Sequence, residues 1–95
     1  MDKEKIIKGS KMLETIEEYK VFIEELKNSR CDDVHFDKVI HLHKQRYYIR
    51  VNSDIHLELE DEATWFRMLT AQSKEDLIST TEALISIVVR KIDNL

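Results

Sequence analysis

The sequence predicts an α+β fold of two layers. A three-stranded antiparallel meander is covered on one face by a long N-terminal helix and a C-terminal helix, in the order α-β-β-β-α-α. Three observations carry this prediction. Residues 34–60 alternate apolar and polar side chains with a period of two, which puts one set on each face of a strand. The flanking segments repeat apolar residues at intervals of three and four, the spacing of a helix stripe. One glycine and no proline in 95 residues favour long regular elements over irregular loops. A chain of this length forms one domain, residues 1–95, and buries roughly 60–65% of its unfolded surface.

Residues 2–28 are predicted as one helix, with Asp2 as its N-cap. Its stripe is Ile6, Leu13, Ile16, Tyr19, Ile23 and Leu26, widened by Met12 and Phe22. Lys and Glu at helical spacing occupy the back, among them Glu4 with Lys8 and Lys20 with Glu24. The mixed charge fits a core-facing helix with a solvated back better than a membrane-surface helix. Gly9 inside the helix suggests a close backbone crossing. Asn28-Ser29-Arg30 ends the helix, with Asn28 suited to the left-handed terminal position.

The meander follows. In the first strand Val34, Phe36, Lys38, Ile40 and Leu42 share one face, and His35, Asp37, Val39, His41 and His43 the other. Only Lys38 and Val39 break the pattern. Tyr47, Ile49 and Val51 alternate with Arg46, Tyr48 and Arg50, and Ile55, Leu57 and Leu59 with His56, Glu58 and Glu60. A first turn at Lys44-Gln45 sets Leu42 against Tyr47, Ile40 against Ile49, and His41 against Tyr48. Parity then requires a three-residue second turn at Asn52-Ser53-Asp54, pairing Ile49 with Leu57 and Tyr48 with Glu58. The outer face is expected to carry the rows Val39–Arg50–His56, His41–Tyr48–Glu58 and His43–Arg46–Glu60.

The acidic pair Asp61-Glu62 suits a helix N-terminus, and residues 62–71 carry the adjacent rings Trp65 and Phe66, one of which is left partly exposed. Ser73-Lys74-Glu75-Asp76 matches a capping box, so a fresh helix is predicted over 74–92, with a kinked continuation from 62 as the alternative. Its two stripes, Leu77, Thr81, Leu84, Val88, Leu95 and Ile78, Ile85, Val89, Ile92, with Ile87 off both, exceed what one small sheet and one helix cover. A homodimer through this helix, at Leu77, Leu84, Ile87 and Val88, or docking of a partner helix there, is the expected use of the excess.

Function is less legible. A net charge of −4 argues against nucleic acid as the main partner, and the Glu58 and Glu60 carboxylates offset the basic-aromatic strand of Lys44, Arg46, Tyr48 and Arg50. No apolar run is long enough to span a membrane and no signal-peptide core is evident. Cys31, the only cysteine, lies before Asp32 and Asp33, whose charge disfavours a thiolate; a reducing, cytoplasmic setting is expected. His41 or His56 as a base oriented by Glu58 would need a nucleophile or an enclosed site that the sequence does not supply, so no enzyme is expected. His41 and His43 have the spacing of zinc ligands on one strand face, yet Lys44, Arg46 and Arg50 surround them with cations, so neither metal nor cofactor is expected.

A protein-binding face remains, built from His41, His43, Arg46, Tyr48, Arg50, His56 and Glu58, with Tyr and Arg as the residue types that concentrate binding energy. A short, lysine- and isoleucine-rich chain without motifs has the look of reading frames on phages and mobile elements. That points to an inhibitor or regulator that blocks a host macromolecule such as a defence nuclease. The alternative is a small-ligand or metal-binding protein using His41, His43, Tyr48, Arg50 and His56.

Overall fold

The computed structural model describes residues 3–95. Six elements follow one another: α1 (Lys3–Lys27), β1 (Val34–His41), β2 (Lys44–Val51), β3 (Ile55–Leu59), α2 (Glu62–Leu69) and α3 (Lys74–Asp93). The strands form one antiparallel sheet in the order β1-β2-β3, with the helices against one face, which is the predicted α+β architecture. Asp2, the expected cap of α1, lies outside the described residues.

The inner face is the apolar parity. Tyr47, Ile49, Val51, Ile55, Leu57 and Leu59 are buried against Ile16, Tyr19, Phe22, Ile23 and Leu26 of α1 and Leu77, Leu84 and Val88 of α3. Three of the four residues expected at a dimer interface, Leu77, Leu84 and Val88, are therefore core of a single chain, and Ile87 is partly buried against it. The surplus apolar surface is elsewhere. Ile6 and Leu13, assigned to the buried stripe, stand 51% and 57% exposed. A 25-residue helix is about 37 Å long and outruns a sheet whose strands are at most eight residues, about 27 Å.

The second turn and the β2–β3 register agree with the sequence: Ile49 faces Leu57, Tyr48 faces Glu58 and Arg50 faces His56. Asn52 and Ser53 take the left-handed conformation, at φ 54° and 69°. The first turn differs. It closes on Leu42-His43, not Lys44-Gln45, so β1 slides four residues along β2 and pairs Val34 with Val51 and Phe36 with Ile49. A slide of four keeps every side chain on its expected face. It brings Phe36 and Val34 over the core and sends Ile40 and Leu42 past its edge, 72% and 83% exposed. Asn52 holds the slid position: its side-chain oxygen accepts from the backbone N–H of Asp32 and Asp33 (3.0 and 3.2 Å), and its own N–H donates to the Asp33 carbonyl (2.7 Å).

The helix ends follow their chemistry. Asp61 caps α2, accepting from the Thr64 N–H at 2.8 Å, and that bond holds its carboxyl below the usual range. Ser73 caps α3, accepting from the Asp76 N–H at 3.1 Å, so α3 is a fresh helix and not a kinked continuation of α2. At the C-terminal end of α1 the left-handed residue is Cys31 (φ 55°) and not Asn28; the Lys74 ammonium serves the terminal carbonyls of Lys27 and Ser29 (3.1 and 2.7 Å). Gly9 marks no close crossing: a Cβ there would meet Leu95 at an ordinary 3.6 Å. Of the adjacent rings, Trp65 is buried and Phe66 is half exposed.

Candidate functional site

Among the described residues no helix covers the outer face of the sheet. Its rows are His35–Arg50–His56 and Asp37–Tyr48–Glu58, followed by the pair Val39–Arg46 and, at the end of the hairpin, His41–Lys44. The slide of β1 therefore breaks up the expected rows. Arg46, Tyr48, Arg50, His56 and Glu58 stay together on β2 and β3, while His41 and His43 move to the hairpin tip. His35, never among the expected site residues, takes the place beside Arg50.

This rearrangement decides what chemistry the face can do. His35 and His56 flank Arg50 across two strand spacings, about 9.5 Å, with a guanidinium between them. A metal ion shared between them would have to sit over that guanidinium, which repels it. His41 is four ladder positions from Tyr48 and directly opposite a lysine. Among the described residues no three His, Cys, Asp or Glu groups converge on a point that could hold a metal ion. The ligand set of the metal-binding alternative is thus divided between the hairpin tip and the middle of the sheet.

Charges on the face alternate and pair diagonally. The Arg50 guanidinium meets Asp37 at 3.3 Å and Arg46 meets Glu58 at 3.9 Å. At the strand's start His35 meets Asp33 at 2.8 Å. A side-chain hydrogen bond to Tyr48, then the Glu58 carboxylate, raise the Arg46 pKa further above its ordinary value. Each of these groups is about half exposed, so solvent screens the pairs and they hold the fold only weakly. Among the described residues the Arg50 Nε is buried without a partner, a local cost beside the Arg50–Asp37 pair.

A second cluster lies under the hairpin. Lys38, which breaks the apolar pattern of β1, points inward over the rings of Trp65 (4.8 Å), Phe66 (5.2 Å) and Tyr47 (6.0 Å) and pairs with Glu62 at 3.2 Å. Burial and the Glu62 carboxylate push the Tyr47 phenol above its ordinary pKa. The rings and carboxylate solve the problem of an inward lysine by holding its charge within the chain. Sequence reasoning missed this cluster, although an inward-parity lysine, a Trp-Phe pair and an acidic run were all visible.

The outer edge of β3 was also missed. It lies beside α1 and forms a groove with the exposed Val21. The visible signal was a pair of acidic doublets, Glu17-Glu18 and Glu24-Glu25, one on each side of Val21.

Comparison with known protein families, with characterised proteins and with solved structures gives no match to this chain.

Proposed function

We propose that this protein is a non-enzymatic interaction module that docks on another protein through the outer face of its sheet and the tip of its β1–β2 hairpin. The observation that supports this reading is the uncovered, diagonally paired face around Tyr48, continuous with a hairpin that carries Val39, Ile40 and Leu42 into solvent. Tyr48 and Arg50 sit at the centre of that face, each half-buried and held by strand neighbours on both sides. Three strands of up to eight residues present about 27 Å by about 14 Å, nearly 400 Å². A standard interface takes about 800 Å² from each partner, so the apolar tip must belong to the footprint as well.

The composition fits an inhibitor or regulator encoded by a phage or mobile element, acting on a host macromolecule such as a defence nuclease. A single unpaired Cys31 suits a reducing cytoplasm for that work. The test is affinity capture from a host lysate with identification by mass analysis, repeated with the purified partner. Tyr48→Ala with Arg50→Ala lowers affinity by at least about tenfold, and Leu42→Asp does so separately. A partner held equally well by both variants would remove the reading.

A further inference from the structure

β3 has a free edge. It pairs with β2 on one side only, and among the described residues no backbone hydrogen bond reaches Ile55–Leu59 from the other side. In an antiparallel ladder alternate residues turn N–H and C=O away from their partner strand, so this edge presents unpaired donors and acceptors in a row. Edges of this kind accept an added strand from a peptide in extended conformation.

The edge is not open to solvent on all sides. α1 runs antiparallel beside it and forms a continuous groove in two stretches, about 480 Å³ near the start of β3 and about 400 Å³ along its middle. Both stretches share Val21 and Glu25. The groove runs along β3 from Ile55 to Glu58, about 14 Å of strand, against α1 from Glu17 to Glu25, about 12 Å of helix.

Its wall has a simple pattern. Val21 is 54% exposed and lies one helical step of four residues from Glu17 on one side and Glu25 on the other. Four residues of helix rise about 6 Å. Two residues of strand rise about 6.8 Å and return a side chain to the same face. An added strand therefore sets three successive same-face side chains against Glu17, Val21 and Glu25. The intervening side chains fall on the outer face beside His56 and Glu58. Lys20 lies 3.9 Å from Glu17, a long and exposed pair that competes weakly. Glu18 adds a further carboxylate to the same wall.

We infer that the groove between α1 and the edge of β3 binds an extended peptide of the pattern basic-x-apolar-x-basic, which adds to the sheet as a fourth strand. The backbone edge supplies the hydrogen bonds, Val21 the apolar contact, and Glu17 and Glu25 the choice of flanking Lys or Arg. This surface adjoins the docking face around Tyr48 at His56 and Glu58, and its recognition rests on Glu17, Val21 and Glu25 and not on that face.

The probe is a fluorescein-labelled peptide, acetyl-Ser-Lys-Thr-Val-Thr-Lys-Ser-amide, followed by anisotropy and by amide spectra of the labelled protein. It binds saturably, shifts the amides of Val21 and Ile55–Leu59, and slows exchange on β3. The same peptide with Glu in place of both Lys binds at least about tenfold more weakly. In Glu17→Lys with Glu25→Lys, two exposed positions that leave the core intact, the preference inverts and the Glu peptide becomes the better ligand. No saturable binding up to about 1 mM overturns the proposal. So does an unchanged preference in the charge-swapped protein, or a footprint on β1. Protection of β3 that grows with protein concentration and without peptide assigns the edge to a second copy and overturns it too.

Discussion

Replacing Leu42-His43 with Asn-Gly tests the strand register on which every surface of the molecule depends. Both residues hold left-handed backbone conformations, φ 52° and 64°, in a two-residue hairpin loop. Neither has the chemistry such a loop favours, which is Asn-Gly. The left-handed region costs a side-chain-bearing residue ~1–2 kcal/mol, less for Asn and nothing for Gly. Glycine returns ~0.5–1 kcal/mol of that through the freedom it adds to the unfolded chain. Leu42 is 83% exposed, so its removal takes nothing from the core. The net expectation is a gain of about 1 kcal/mol, or about 4–8 °C in Tm. In the alternative register, with the turn at Lys44-Gln45, Leu42 lies on the inner face against Tyr47. There its loss would cost ~2–5 kcal/mol, with a polar group introduced into the core besides. Urea denaturation of the double variant separates the two by sign, at unchanged m. A loss of 2 kcal/mol or more, about the lower bound for a buried leucine, would refute the slid register.

Other consequences are open to the same methods. Leu26→Ala, at a fully buried position, costs about 2–5 kcal/mol, whereas Leu13→Ala, at 57% exposure, stays within about 0.5 kcal/mol; equal effects would mean that α1 buries a different stripe. Asp61→Ala removes the cap of α2 and costs about 1 kcal/mol near neutral pH. The folded state holds the Asp61 carboxyl below its ordinary pKa, so this stabilisation is complete above that value and fades as pH falls through the lower, folded one; a difference between wild type and variant that persists at pH 2 would contradict it. Burial, then the charges of Glu60, Asp61 and Glu18, raise the Tyr19 phenol, and burial and Glu62 raise that of Tyr47. Raised values favour the neutral form in the folded state, so stability is complete below the ordinary tyrosine value and falls as pH climbs beyond it. Absorbance of the tyrosinate band against pH checks this, and free ionisation of all three tyrosines near pH 10 in the folded protein would contradict it.

Which side chains face inward was legible because alternation fixes parity, and parity survives any slide by an even number of residues. The same fact explains what was not legible. Val34 to Leu42 offers apolar groups along its whole length, so two registers four residues apart bury plausible sets. The choice between them rests on Asn52, which was assigned to its own turn and gave no sign of reaching the backbone of Asp32 and Asp33. Phe36 and Val34 extend the apolar row toward Cys31, Ala71 and Leu77, a contact that depends on where α3 begins. The candidate site inherited the error of register in proportion. β2 and β3 kept their pairing with each other, while every pair between β1 and β2 changed. The exposed stretch of α1 was hidden for another reason: periodicity reports which residues share a face, not how far the facing layer extends.

The slide also bears on what the outer face is for. The expected register set histidines beside Tyr48 and Arg46. Their replacement by Asp37 and Val39 leaves charges that neutralise one another through weak, half-exposed pairs. Such pairs hold the fold little and can be exchanged for a partner's charges at small cost. The groove at the edge of β3 works differently: Lys20 opposes its acidic wall through a long, exposed pair, and among the described residues no backbone group bonds β3 on the side away from β2. The two surfaces meet on β3, where His56 and Glu58 belong to both. Substitution at Tyr48 and Arg50 therefore weakens docking of the face while leaving recognition of the basic peptide within about twofold of wild type. Charge reversal at Glu17 and Glu25 does the opposite. Loss of both activities in either variant would show one continuous binding surface, and the separation drawn from the edge of the sheet would not stand.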